Sequence, residues 1–227
     1  MMCGGRLTTL GGLLNGPGVP SRNSPLSVRG SRFVMGCVGT RGRKMKIWEA
    51  TDADHDGIWR IFHEVVAAAD TYAFDPDTSR EDALAYWFAR GTHTYVAKQE
   101  SVGDGVAVLR KSPTTIQARD IVGTYILRPN QCGAGSHVAN AAFMVAPEAR
   151  GHGIGRAMGE HCISEARRLG FRAMQFNFVV STNESAIRLW KQLGFKIVGT
   201  LPDAFRHPEK GYVDVYVMYR SLLEDQA

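Results

Sequence analysis

The chain has 227 residues, of which 44% are hydrophobic, enough for one domain of ordinary size with a full hydrophobic core. No apolar run approaches the ~20 residues that a membrane-spanning helix needs, so we expect no membrane partner. The formal charge of +5 arises in residues 1–44, which hold seven of the 27 Lys and Arg residues and none of the 22 Asp and Glu residues. Because the rest of the chain is slightly acidic, we expect no nucleic-acid partner.

Residues 1–44 also hold ten of the 25 glycines and show neither a helical nor a strand period. This composition predicts a disordered basic tail. Arg and Ser without acidic residues are also typical of a transit peptide, but no amphipathic helix supports targeting. Alternatively, the start is misassigned and translation begins at Met45. The predicted folded domain covers 45–221.

The four cysteines form no Cys-x-x-Cys pair and have no spacing typical of metal ligands. We therefore expect no metal and no disulfide. Such cysteine usage favours a reducing, cytoplasmic setting.

Hydrophobic periodicity and capping residues predict one mixed α/β domain with a single sheet. In chain order we predict a strand at 47–50, a helix after the capping-box-like 51–54, a helix capped at 78–81, strands at 92–98, 121–127 and 137–145, a helix at 151–169, a strand at 173–180, a helix from 181–184 to Gly194, and strands at 195–200 and 213–219. The segment 100–117 is rich in Gly and Ser and contains Pro113, a composition that predicts a hairpin loop or an insertion.

The most informative motif is a glycine turn that follows the strand ending at Val145. Residues 150–156 read Arg-Gly-His-Gly-Ile-Gly-Arg and lead into a helix. Such a turn presents backbone N–H groups at the positive end of a helix dipole, which suits a diphosphate. Arg150 and Arg156 add positive charge. The motif is neither a dinucleotide fingerprint nor a nucleotide P-loop, and an ordinary strand-to-helix loop is the alternative interpretation.

Three signatures resemble those of the GNAT N-acetyltransferases. The glycine turn matches the acyl-CoA signature Gln/Arg-x-x-Gly-x-Gly/Ala. Residues 183–195 resemble Asn-x-x-Ala-x-x-Leu-Tyr-x-x-x-Gly-Phe, and the strand pair 137–145 and 173–180 has the expected polar end. The resemblance implies the acyl-CoA N-acyltransferase fold, a single mixed, mostly antiparallel sheet with a parallel splayed pair, flanked by helices. It also implies acetyl-CoA as co-substrate.

Shorter segments resemble the yeast acetyltransferases that detoxify proline analogues such as azetidine-2-carboxylate. These segments are 123–130, 137–145 and 176–183. In that family the residues matching Asn140 and Asn177 are implicated in substrate binding and catalysis. Asn is disfavoured in apolar strands, so the alternative is that each side chain bonds neighbouring backbone.

The resemblance also implies the residues that contact the two substrates. Those expected at coenzyme A are Phe143, Met144, Val145, Arg150, Gly151, His152, Gly153, Ile154, Gly155, Arg156 and Asn183. A backbone N–H near Val145 is expected to polarise the thioester carbonyl. Tyr72 and Phe74 lie in the loop that covers the acceptor pocket in this fold. Arg206 and His207, expected in the loop before the last strand, could face the same pocket.

The acid and the base of the reaction are less clearly marked. The strand 137–145 has no Asp or Glu, although many relatives place a general base there. Water held by Asn side chains and backbone carbonyls, or His137, Asp70 or Glu64, are the alternatives. Trp190 replaces the Tyr that protonates the leaving thiolate in many relatives, and we expect it to pack rather than react.

The leading hypothesis is transfer of acetyl from acetyl-CoA to a small amino acid, imino acid or amine by direct attack. Alternatives are acetylation of phosphinothricin- or methionine-sulfoximine-like compounds, acetylation of a protein N-terminus, or an acyl-CoA sensor without turnover. Because members of this family are often dimers, a homodimer is an open alternative to a monomer.

Overall fold

The computed structural model describes residues 35–38, 44–99 and 121–223. Its strands are β1 Met35–Val38, β2 Lys44–Glu49, β3 His93–Gln99, β4 Ile121–Pro129, β5 Val138–Val145, β6 Ala173–Val180, β7 Lys196–His207 and β8 Gly211–Ser221. Its helices are α1 His55–Ala67, α2 Arg80–Trp87, α3 Ile154–Arg168 and α4 Glu184–Gln192. In the described ranges the strands form one sheet in the order β1-β2-β3-β4-β5-β6-β8-β7.

Every predicted helix and strand is present, and two details differ from prediction. Strand β1 lies within the segment expected to be disordered and pairs antiparallel with β2. Arg206 and His207, expected in a loop, form the end of β7, because the hairpin pairs as far as His207 and Gly211. The predicted loop or insertion at 100–117 lies outside the described residues, as does most of the predicted tail.

The two faces of the sheet carry different helices. Consecutive residues of a strand point to opposite faces. The Thr124 hydroxyl accepts a hydrogen bond from Trp87 Nε1 of α2 at 3.0 Å, whereas the Tyr125 hydroxyl contacts His161 Nδ1 of α3 at 2.5 Å. Helix α1 packs beside α2 through the rings of Phe62 and Trp87. We call these two sides the α2 face and the α3 face.

Helix α4 joins α3 on the α3 face. Phe143 is the register partner of Tyr125, so both point to that face, and the Trp190 ring of α4 lies 4.8 Å from the Phe143 ring. The two helices approach closely at Gly159, where a Cβ would lie 2.6 Å from Leu193 Cδ1. Glycine at this position therefore sets the spacing between α3 and α4.

Strands β5 and β6 form the parallel pair and separate after two residue pairs, Val138 with Ala173 and Ala139 with Met174. We call the gap between residues 140–145 of β5 and 175–180 of β6 the split. All other pairings among the described strands are antiparallel. The predicted fold class, including the splayed parallel pair, is thereby confirmed. No helix in the described part of the chain is long and apolar enough to cross a bilayer.

Candidate active site

A groove of about 1630 Å³ opens at the split. Its walls combine both strands of the split with the loop after α1, the glycine turn, the first turn of α4 and the β7–β8 turn. The residues predicted to contact coenzyme A or the acceptor line it, with the exceptions of His152 and Arg206. Its main lining segments are 70–74, 140–145, 149–151, 153–156, 176–180, 182–186 and 207–210.

The backbone of β5 turns polar groups that have no partner strand toward the split. Ala146 N donates to Val122 O at 3.0 Å, and Val138 O accepts from Asn130 N at 2.8 Å, so the even-numbered residues of β5 bond to β4. His137 O instead accepts from Arg172 N on the β6 side. By alternation, the N–H and C=O groups of Phe143 and Val145 face the split. Either N–H fits the expected position of the group that polarises the thioester.

The side chain of Tyr72 reaches this edge from the loop after α1. Its hydroxyl donates to Phe143 O at 2.5 Å and accepts from Phe143 N at 3.0 Å. Burial raises the pKa of Tyr72 well above its usual value, so the hydroxyl stays protonated at neutral pH. Phe74 forms the adjacent wall, with its ring 5.0 Å from the ring of Phe62.

Asn140 occupies the point where β5 and β6 separate. Its Nδ2 donates to Gln175 O at 2.9 Å, and the side chain thus continues the ladder by one bond after the backbone pairs end. The Nδ2 group of Asn140 therefore bonds neighbouring backbone, which was the alternative interpretation of this residue. Its Oδ1 has no hydrogen-bond partner within the described ranges and remains able to accept from an amine.

Asn177 lies on the β6 side of the same groove and is exposed. Strand β6 shifts register against β8 between Phe176 and Val179, which releases Asn177 from regular pairing. Its Nδ2 donates to Asn130 Oδ1 at 2.6 Å, and its Oδ1 accepts from Gln175 Nε2 at 2.8 Å. Asn177 is thus more fully hydrogen bonded to the protein than Asn140.

The glycine turn has the geometry of an anion site. Gly151 and Gly153 have φ values of 77° and 80°, in the left-handed region that favours glycine. In the part of the chain that the structure describes, the N–H groups of residues 151–156 have no acceptor. They lie at the N-terminus of α3, which has 15 residues, and Arg150 is exposed beside them. The residues present fit a diphosphate.

Three residues of the turn have additional or different roles. A Cβ on Gly155 would lie 3.3 Å from Leu189 Cδ2, so this glycine also lets α4 pack against α3. His152 Nδ1 lies 2.9 Å from Arg150 O, and its ring folds back over the turn rather than into the groove. Arg156 pairs with Glu160 at 3.7 Å.

Two residues of the second signature have clear structural roles. Asn183 caps α4, because its Oδ1 accepts from Ala186 N at 3.2 Å. Trp190 is buried, and its ring lies 4.8 Å from Phe143 and 4.7 Å from Phe176. The prediction that Trp190 packs is confirmed.

Of the three candidate bases, one lines the groove. His137 is exposed, and its Nδ1 lies 3.0 Å from Ala134 O outside the groove. Glu64 lies 3.5 Å from the Arg60 guanidinium and is also outside it. Asp70 lines the groove two residues before Tyr72. His207 lines it as well, and its Nδ1 accepts from the N–H of Glu209 at 3.1 Å.

The groove residues missed from the sequence include Arg128 of β4 and Tyr86 of α2. The signal that could have found Arg128 is a charged residue two positions after Ile126 in an otherwise apolar strand. Among the described residues no group of three or more His, Cys, Asp and Glu side chains is placed to hold a metal ion.

Comparison with known proteins gives consistent matches. The model of the acetyltransferase (GNAT) family matches residues 58–195. The N-acetyltransferase aca1 of Schizosaccharomyces pombe is 32% identical over 148 residues, which cover 65% of this chain and 70% of that protein.

Two solved structures extend these matches to the fold. A GCN5-related N-acetyltransferase from Kribbella flavida is 41% identical with a TM-score of 0.66, over 78% of this chain and 97% of the other. The structure of yncA from Salmonella typhimurium, solved with its cofactor acetyl-CoA, is 25% identical with a TM-score of 0.62, over 81% of this chain and 96% of the other.

Proposed function

The chain belongs to the GNAT family of acetyltransferases and is an N-acetyltransferase, and on this premise we propose that its acceptor is a small amino acid, imino acid or amine. The observation that carries the proposal is that the diphosphate-type turn, the free edge of β5 and Asn140 all open into one groove. Coenzyme A and a small acceptor can therefore approach the same segment of β5 from two directions.

Coenzyme A would be held by the turn and by β5. The N–H groups of residues 151–156 and the guanidinium of Arg150 suit its diphosphate. The N–H and C=O groups of Phe143 and Val145 have no partner strand and suit an extended arm lying along β5, although the arm must share or replace the Tyr72 hydroxyl at Phe143. When bound, acetyl-CoA supplies a thioester whose carbonyl carbon forms the new C–N bond while the C–S bond breaks and the thiolate leaves.

The chain's own groups would orient the amine and stabilise charge. The N–H of Phe143 faces the split and is the donor that we assign to the developing oxyanion. Asn140 Oδ1 accepts a hydrogen bond from the amine. An ammonium group must first lose a proton, and we assign this step to water in the groove, with Asp70 as the candidate base because it lines the groove and His137 and Glu64 do not. Because a thiol has a pKa of ~8.5, the thiolate leaves at neutral pH without an acid at Trp190.

The finer assignment to imino acids rests on the short segments that resemble the yeast proline-analogue acetyltransferases. Asn140 and Asn177 match the asparagines implicated there, and both line the groove. A cytoplasmic location and the homodimer remain predictions, as do the tail and the alternative start at Met45.

The test is thiol release from acetyl-CoA across a panel of acceptors, with mass spectrometry of the products. The panel contains azetidine-2-carboxylate, proline, phosphinothricin, methionine sulfoximine, pyrrolidine and a peptide with a free N-terminus. We expect release that depends on a small acceptor. If the protein binds coenzyme A but releases no thiol with any acceptor, the alternative of an acyl-CoA sensor without turnover is supported. If folded protein gives no calorimetric heat with millimolar coenzyme A, the proposal is overturned.

A further inference from the structure

Arg128 is a groove cation without a carboxylate partner. Its Nη2 donates to the Tyr86 hydroxyl at 2.7 Å, and its Cζ lies 4.7 Å from the centre of the Tyr86 ring. In the described ranges no ion pair includes Arg128, and only one of its five N–H donors has an acceptor. Other arginines are paired, such as Arg60 with Glu148 at 2.8 Å and Arg80 with Asp56 at 2.7 Å.

The side chain of Arg128 is held in place rather than free in solvent. It is half-buried on β4, and the Tyr86 ring against which it lies packs edge-on to Phe74 at 5.0 Å. Helix α2 and the loop after α1 thereby fix the ring that orients the guanidinium. A partly desolvated charge fixed in this way is stabilised by an anion that completes its hydrogen bonds.

Arg128 lies next to the residue that we assign to the acceptor amine. It is the register partner of Asn140 in the antiparallel β4–β5 pair, so both side chains project from the α2 face. Side chains of directly opposite residues are close neighbours. The guanidinium and the free Asn140 Oδ1 therefore border the same end of the split.

We infer that Arg128 binds the carboxylate of the acceptor, and that the enzyme selects α-amino or α-imino acids over amines without a carboxylate. This rests on the proposed function. Asn140 Oδ1 accepts from the amine while the guanidinium donates to the carboxylate on the adjacent carbon. A simple amine or a peptide N-terminus would leave the guanidinium without its anion.

The experiment takes the best acceptor of the panel and compares it with the compound in which a carboxamide replaces the carboxylate. Arg128→Gln keeps polarity and removes the charge, Arg128→Lys keeps the charge and removes the planar fork, and Arg80→Gln is the control, since Arg80 lies on α2 outside the groove. KM for the acceptor, kcat, the affinity for coenzyme A and the thermal midpoint are measured for each protein.

In the wild type we expect the carboxylate compound to be preferred. In Arg128→Gln we expect the KM for the carboxylate compound to rise about 100-fold, because a charged hydrogen-bonded pair is lost. The affinity for coenzyme A should stay unchanged. The preference for carboxylate over carboxamide should then disappear. Arg128→Lys should show an intermediate preference, and Arg80→Gln should retain that of the wild type.

Three results would overturn the inference. The first is that the best acceptor of the panel has no carboxylate. The second is that the KM values for the carboxylate and the carboxamide compound rise equally in Arg128→Gln, and the third is that neither KM changes. If Arg128→Gln fails to fold, Arg128→Lys is the deciding variant. An unchanged preference for carboxylate over carboxamide in Arg128→Lys would contradict recognition by the planar guanidinium. Failure of the proposed function has a different signature, since the wild type would then release no acceptor-dependent thiol at all.

Discussion

The hydroxyl of Tyr72 is hydrogen bonded to both the N–H and the C=O of Phe143, at 3.0 and 2.5 Å. These two groups face the split, where β5 has no neighbouring strand. The loop after α1 therefore reaches the same N–H that we assign to the thioester carbonyl. Binding at this edge must displace or share the Tyr72 hydroxyl, which couples the loop to coenzyme A.

Tyr72→Phe should tighten coenzyme A binding. The substitution removes the hydroxyl that occupies Phe143 and keeps the ring beside Phe74. One net hydrogen bond is worth ~1 kcal/mol, so we expect the dissociation constant measured by calorimetry to fall about fivefold. Tyr95→Phe is the control, because Tyr95 donates to Glu165 at 2.8 Å and does not line the groove. Weaker binding in Tyr72→Phe would show that the hydroxyl contributes to the site instead of competing for it.

The sequence predicts features of this protein that depend on neighbours along the chain. The glycine turn and the order of helices and strands follow from local patterns, and both are present. The contact between Tyr72 and Phe143 spans 71 residues and needs the path of a loop without a periodic pattern. Local propensity carries no information about such a contact.

Other features of the groove also depend on contacts between residues that are distant in the sequence. The position of Arg128 opposite Asn140 depends on the β4–β5 register, which neither strand specifies alone. Gly155 has a packing role because Leu189, in a different helix, meets it. The strand β1 was missed because its four residues, Met35–Val38, are too few to display a period and lie among glycines.

Gly153→Ala should weaken coenzyme A binding. An L-residue in the left-handed region costs ~1–2 kcal/mol, and relief of that strain would turn the N–H groups of the turn away from the anion. We expect an affinity loss of about tenfold or more. Gly170→Ala is a matched control, since Gly170 has a φ of 85° just beyond the other end of α3. Both variants should lose similar stability in denaturant, and an equal loss of affinity in both would contradict a specific role for the turn.

Asn140→Ala should impair acceptor use more than Asn177→Ala. Asn140 Oδ1 is free to accept from an amine, whereas both ends of the Asn177 amide already bond to protein. We expect kcat/KM for the acceptor to fall about 10- to 100-fold in Asn140→Ala, with coenzyme A affinity unchanged. Asn177→Ala should lose several-fold less. The reverse order in steady-state kinetics would mean that the acceptor amine is bound from the β6 side.

His161 should make the folded state less stable in mild acid. Burial lowers the pKa of His161, an effect that Glu165 opposes and Arg168 reinforces. The unfolded chain takes up a proton near pH 6.5 and the folded chain only at lower pH, so the free energy of unfolding falls as the pH drops below about 6.5. The fall ends below the folded-state pKa. His161→Gln keeps an acceptor for the Tyr125 hydroxyl and removes the titration.

Denaturant unfolding between pH 7 and pH 5 measures this difference. Glu165 does not affect the comparison. Burial raises the pKa of Glu165, but hydrogen bonds from Arg168 and Tyr95 outweigh burial and the net pKa is lowered, so the stability that Glu165 contributes is present above about pH 4.5 and is lost only at lower pH. We expect the stability of His161→Gln to depend less on pH than that of the wild type over this range. Parallel profiles would mean that His161 takes up its proton equally in the folded and unfolded chains, which would contradict the buried contact between Tyr125 and His161.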